Sequence, residues 1–142
     1  MKQLQATYGN ALLEAHRDLL RDLRALQAMA RAQAAASNED LSIGLDRTRE
    51  HLAEHFRFEE ENGYLAGVLE RAPHLERAIH HLREEHGELL RSLDALRAQA
   101  RGAAARDVRA RVLEWIHQAR KHERSENVLV QDAYNIDLTA ED

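Results

Sequence analysis

The stretch LERAIHHLREEHGELLRSLDAL, residues 75–96, repeats an apolar residue every three or four positions. This spacing places the apolar side chains on one face of an α-helix, where they can pack into a core. Pro73 suits the first turn of this helix, because its missing N–H would have no partner there. Gly102 is typical of a residue that ends it. The same apolar face contains His86, at a position that leucine would otherwise occupy.

Three further segments show the same period, so the chain is predicted to be all-α. Residues 37–40, Ser-Asn-Glu-Asp, separate the first two helices and provide an N-cap. The second helix loosens around Asn62-Gly63 and should end before Pro73. Short connections predict a single domain over residues 1–142, an antiparallel up-down-up-down four-helix bundle. The predicted helices span about residues 10–35, 39–71, 74–100 and 104–134.

Composition narrows the classes of protein that the chain can belong to. It has 142 residues, a formal net charge of -5 and no cysteine. The missing cysteines exclude disulfides, iron–sulfur clusters and thiolate zinc sites. No basic face indicates nucleic acid, no apolar run is long enough for a membrane span, and the start MKQLQATYGN lacks the core of a signal peptide. We therefore expect a cytoplasmic protein without nucleic-acid or membrane partners; no feature identifies a protein partner.

Six polar side chains fall at inward positions of the predicted helices. They are four of the nine histidines and two glutamates: His16, His55, Glu59, His86, His122 and Glu126. Burial of an unpartnered carboxylate or imidazole is unfavourable by several kcal/mol. Counted from the predicted turns at a rise of about 1.5 Å per residue, all six lie at the same depth to within a turn or two. The sequence therefore predicts that these side chains are neutralised together by metal.

Two of the helices carry the same motif, His-x-x-x-Glu, at residues 55–59 and 122–126. A separation of four places the imidazole and the carboxylate on one helix face, one turn apart. Each pair can give a nitrogen to one metal while its carboxylate reaches a second metal. Mixed imidazole and carboxylate ligands suit iron or manganese better than calcium or magnesium, and zinc is a further possibility. A bridging hydroxide or oxide would lower the remaining positive charge of two divalent ions.

At these residues the sequence resembles the hemerythrin family, specifically the bacterial members with an HHE cation-binding domain. The resemblance spans essentially the whole chain and rests on HFRFEEENGYL (55–65), LREEHGELLRSL (82–93) and HERSENVLVQDAYNIDL (122–138). It implies a non-haem centre of two iron ions with an oxo or hydroxo bridge, which binds dioxygen or a related small ligand. The matching positions imply ligands from all four helices, namely His16, His55 with Glu59, His86, and His122 with Glu126.

Two departures from the oxygen-carrying members change what the resemblance implies. Those members have two histidines one turn apart on the third helix, whereas the positions four residues from His86 are Leu82 and Leu90. They also have an aspartate five residues after the fourth-helix histidine, whereas here a glutamate follows after four. One metal is therefore short of a protein ligand, which His81 or water would replace. This favours the sensor-type or reactive members over simple reversible oxygen carriage.

Four functional hypotheses follow from the sequence. The first is a di-iron protein that binds dioxygen, peroxide or nitric oxide for sensing, storage or scavenging. The second is an enzyme with peroxidase-like, catalase-like or oxygen-reducing activity. The third is a metal sink or iron-level sensor whose folding is coupled to metal. The fourth, a metal-free interaction module, would leave six inward polar groups unneutralised. We expect the first and leave enzymatic activity open.

The remaining histidines and several acids are predicted to lie outside the site. His51 is predicted to be solvated or to act as an outer partner of a ligand residue. The histidines predicted to lie on the surface are His74, His80 and His117. The solvated acids are Glu60, Glu61, Glu84, Glu85 and Glu123, of which one or two are expected to accept the outer N–H of a ligand imidazole. Phe56 and Trp115 are predicted to belong to the core.

Overall fold

The protein is helical throughout the residues that the computed structural model describes, 2–31, 38–61, 64–102 and 105–134. Side chains are described at position 14 and over 17–31, 39–61, 67–102 and 108–133. The helices are α1 (Lys2–Arg31), α2 (Asn38–Glu61), α3 (Tyr64–Arg71), α4 (Glu76–Ala100) and α5 (Ala105–Tyr134), with a 3-10 turn at Pro73–Leu75. No strand occurs in these ranges, which confirms the all-α prediction.

The helix boundaries differ from the predicted ones in two places. The first helix begins at Lys2 rather than near Asn10, because KQLQATY consists largely of residues compatible with helix although it precedes the apolar period. Of the predicted second helix, the structure describes α2 up to Glu61 and α3 from Tyr64, and residues 62–63 between them lie outside the described residues. The turn at Pro73–Leu75 delays the start of α4 to Glu76. Residues 32–35 and 135–142 lie outside the described residues.

The four long helices form a closed antiparallel ring. Contacts join α1 to α2, α2 to α4, α4 to α5 and α5 to α1. Arg49 Nε donates to Asp94 Oδ1 at 3.0 Å and Arg97 Nε donates to Asp46 Oδ1 at 2.7 Å, so α2 and α4 run in opposite directions. Contacts between α1 and α2 and between α4 and α5 show the same reversed order. The predicted antiparallel bundle is confirmed.

Two apolar clusters fill the bundle, one on each side of a polar layer. The larger cluster occupies most of its length and includes Leu45, Leu93 and Trp115, whose indole N–H donates to the Leu89 carbonyl at 3.0 Å. The smaller cluster lies under α3 and consists of Val68, Ile79, Leu82, Leu129 and Val130. On α4 and α5 the histidines and glutamates of the sequence motifs lie between residues of the two clusters. The apolar clusters therefore set the depth of the polar layer.

None of the helices, within the residues described, combines the length and apolar character that a membrane crossing requires.

We expect Leu45→Ala to destabilise the protein by about 2–5 kcal/mol, because Leu45 is completely buried and truncation leaves a cavity. Ile43 on the same helix is 51% exposed, so Ile43→Ala is the matched control and should change the free energy of unfolding by less than about 0.5 kcal/mol. Urea denaturation followed by circular dichroism measures both. Equal effects of the two substitutions would mean that α2 presents a different face to the core.

Candidate metal centre

Five of the six predicted site residues meet in the polar layer. His55 and Glu59 come from α2, His86 from α4, and His122 and Glu126 from α5. All five are buried, and both glutamates are 0% exposed. His16, the sixth residue, lies within α1, but its side chain is outside the described residues.

Each glutamate faces imidazoles from two helices. Glu59 Oε1 lies 2.5 Å from His55 Nε2, and its Oε2 lies 3.5 Å from His86 Nε2. Glu126 Oε1 lies 3.3 Å from His86 Nε2 and also contacts His122 Nε2. Both carboxylates contact His86 Nε2, and together they join α2, α4 and α5 through three ring nitrogens.

The ligand-type atoms of the layer form two groups. In one group His55, Glu59 and Glu126 each offer one such atom, and these atoms lie within 4.8 Å of one another. The second group consists of His86, His122 and Glu126, whose ligand-type atoms also lie within 4.8 Å of one another. Because Glu126 belongs to both, the arrangement can hold two cations with a shared carboxylate.

The unsatisfied polar atoms of the layer fit a bound cation. Both oxygens of Glu59, Oε2 of Glu126 and Nε2 of His122 are buried and make no hydrogen bond, although imidazole and carboxylate atoms face one another at short range. Buried polar atoms without hydrogen bonds are uncommon in proteins, and a buried carboxylate without compensation is unfavourable. Convergence of these atoms on one another is the arrangement expected of metal ligands.

The pKa values of the two buried glutamates are shifted in opposite directions. Burial, together with the neighbouring charge of Glu126, raises the pKa of Glu59 well above its usual range. Burial also disfavours ionised Glu126, but its contacts with Glu59 and two imidazoles outweigh this and hold its pKa well below the usual value. Burial opposes protonation of His86, yet the facing carboxylates raise its pKa to about 9. In the absence of metal, protons supply the compensating positive charge.

Two further carboxylates orient the imidazoles from outside the layer. His122 Nδ1 donates to Glu85 Oε1 at 2.7 Å, and His86 Nδ1 donates to Glu60 Oε1 at 3.2 Å. Since a carboxylate only accepts, the hydrogen of each neutral ring lies on Nδ1 and leaves Nε2 with a lone pair directed inward. The expectation that one or two acids accept the outer N–H of a ligand imidazole is confirmed.

The aromatic residue Phe56 packs against the imidazoles of the second group. Its ring stacks on His86 with centroids 3.9 Å apart and an interplanar angle of 10°, and it meets His122 edge-on at 5.5 Å. Phe56 is buried in the larger apolar cluster, so its predicted core position is confirmed. Its contact with the imidazoles makes it part of the wall of the layer as well.

The prediction that Glu123 is solvated is wrong. Glu123 is 5% exposed, and its Oε1 lies 3.4 Å from His55 Nε2. A sequence signal was available, since Glu123 precedes Glu126 by three residues and therefore shares part of its helix face.

The remaining histidines stay outside the layer. The His81 side chain is 70% exposed and its Nε2 lies 3.3 Å from Glu85 Oε2, so the structure does not bring it to the cluster as a replacement ligand. His51 is exposed and donates to Asp22 at 2.6 Å. The other histidines are exposed, which confirms their predicted surface positions; they are His74, His80 and His117.

Fold and site together define a class: an antiparallel helical bundle with a buried histidine and glutamate cluster that fits a metal site. The family model of the hemerythrin HHE cation binding domain matches residues 9–133. The chain therefore belongs to the hemerythrin HHE cation-binding family, as the sequence motifs indicated. Comparison with curated proteins and with solved structures gave no match.

We expect Glu59→Leu to stabilise the metal-free protein by about 1–3 kcal/mol, because leucine of similar volume removes a buried carboxyl group whose oxygens make no hydrogen bond and whose ionisation is disfavoured by burial and by Glu126. Urea denaturation in the presence of a chelator measures this. Glu50→Leu, at an exposed position of α2, is the matched control and should change stability by less than about 0.5 kcal/mol. A loss of stability on Glu59→Leu would show that the glutamate is structurally satisfied without metal.

Proposed function

We propose that the protein holds two iron ions in the polar layer and binds dioxygen or a related small ligand, peroxide or nitric oxide, for sensing, storage or scavenging. The observation that carries this proposal is the pair of ligand groups, each with imidazole and carboxylate atoms, that share Glu126. Nitrogen and oxygen ligands without sulfur favour iron or manganese, with zinc as a further possibility.

Each side chain of the layer has a distinct role in this proposal. His55 binds one metal, while His86 and His122 bind the other. Glu59 and Glu126 link the two positions, since each contacts imidazoles of two helices. His16 completes the ligand set from α1; this assignment remains a prediction from the sequence motif.

The position held by His86 and His122 is the one we assign to the small ligand. Leu82 is buried in the smaller apolar cluster and offers no ligand atom, and His81 is on the surface. Bound iron supplies a redox-active centre with a coordination position for a small ligand. Phe56 lies against both imidazoles and places an apolar ring beside this position.

A groove between α4 and α5 reaches the outer side of His122. It has a volume of about 520 Å³, and His122 and Glu85 belong to its lining together with Trp115 and Leu89. The second candidate function, an enzyme that turns over peroxide or reduces oxygen, would use the same ligand position.

We expect the reduced, iron-loaded protein to change its near-ultraviolet absorbance stoichiometrically when it is mixed anaerobically with peroxide or nitric oxide, or exposed to air. Glu126→Gln should abolish the change, because both ligand groups lose their shared carboxylate. His117→Ala, at an exposed position of the same helix, should retain it. Iron-loaded protein whose spectrum responds to none of the three molecules would contradict the proposal. Sustained peroxide consumption would favour the enzyme.

A further inference from the structure

A third buried carboxylate, Glu123, lies beside the two that the proposed function uses. It is as well shielded from solvent as the imidazoles of the layer, with 5% exposure, although it follows directly after His122 on α5. Burial of an additional ionised carboxylate next to Glu59 and Glu126 adds like charge to a site that already contains two. A cation bound close to the three carboxylates would offset this repulsion.

The carboxylates around the layer are of two kinds, which differ in the imidazole nitrogen that they contact. Glu60 and Glu85 contact the outward Nδ1 atoms of His86 and His122, which is the position of a residue that orients a ligand. Glu123 contacts Nε2 of His55, the same atom that Glu59 approaches from within the layer. Glu123 therefore lies on the side of the imidazole where a metal would bind.

The separation between these atoms fits two ligands of one ion. Metal–nitrogen and metal–oxygen bonds of about 2.1 Å place neighbouring ligand atoms about 3.0–3.4 Å apart, between octahedral and tetrahedral angles. The distance from Glu123 Oε1 to His55 Nε2 is 3.4 Å. The Glu123 oxygen and the His55 nitrogen are therefore close enough to each other to contact one cation.

Charge balance points in the same direction. Two divalent ions carry four positive charges, of which Glu59 and Glu126 compensate two. A third carboxylate in direct contact compensates one more, which lowers the net charge buried among the two apolar clusters.

We propose that Glu123 is a third carboxylate ligand of the centre and binds the metal on the His55 side. The inference rests on the proposed function, because it presupposes that the layer holds metal. It makes the two positions unequal: the His55 position receives three carboxylates, whereas the His86–His122 position receives only the two that are shared. The first metal therefore binds tightly beside Glu123, and the second position is the more open one.

Cobalt(II) titration under anaerobic conditions tests this assignment, because cobalt reports its coordination number through visible absorbance without redox chemistry. The variants are Glu123→Gln, which removes the charge at constant size, and Glu123→Asp, which keeps the charge but shortens the side chain. Glu114→Gln, an exposed glutamate on α5, is the matched control. Near-ultraviolet circular dichroism of Trp115 verifies the fold of each metal-free variant.

We expect wild-type protein and Glu114→Gln to bind two cobalt ions in two steps. Both Glu123 variants should lower the affinity of the tighter step by about tenfold or more and alter the visible band of that step. The affinity of the weaker step should stay within about threefold of wild type. Wild-type affinity in Glu123→Asp would overturn the assignment, since the negative charge alone would then be sufficient for tight binding of the first cobalt ion. Wild-type affinity in both variants would overturn it as well. A wild-type protein that binds no cobalt would contradict the proposed function instead.

Discussion

The structure depends on the burial of two glutamates that face one another inside a helical bundle. Glu59 and Glu126 are fully shielded from solvent, on helices that pack around the same polar layer. Two ionised carboxylates at this distance repel each other and lose their hydration, so the fold can contain them only if positive charge enters with them. In the metal-free state the raised pKa values of Glu59 and of the three imidazoles keep protons in the layer, and the imidazoles provide ligand nitrogens when a cation is bound.

The apolar clusters of the bundle fix the position of this layer and shield it from water. The two clusters on either side hold the helices at a fixed depth, so that residues distant in sequence meet at one level. They also keep water out, and a low local dielectric strengthens every electrostatic interaction in the layer. Glu60 and Glu85, at the edge of the bundle, accept from Nδ1 of two imidazoles and so orient each ring with Nε2 directed inward. The layer is thus organised by its surroundings before any cation binds.

Much of this arrangement could be predicted from the sequence, because it follows from helical periodicity. A polar residue within an apolar stripe is conspicuous in the sequence, as His86 is between Leu82 and Leu89. Two copies of His-x-x-x-Glu indicate that two helices contribute the same pair of side chains to one site. The family resemblance added the order of the ligands along the chain. The start of the first helix was less predictable, because it precedes the apolar period of the sequence.

The error over Glu123 has a physical cause that periodicity alone does not decide. Its position is at the margin of the inward face, where the rotation of α5 by a few tens of degrees decides between solvent and the layer. That rotation depends on how α5 packs against its neighbours, and His55 on α2 is the residue it then meets. Similarly, the exposure of His81 follows from the rotation of α4, which directs the adjacent Leu82 inward.

The most direct test of the central claim is an anomalous difference map at the iron absorption edge from crystals of the iron-loaded protein. The account predicts two peaks inside the bundle, one beside His55 and Glu59 and one beside His86 and His122, with the Glu126 carboxylate between them. A map without peaks in the polar layer, or with iron only at surface carboxylates, would contradict it.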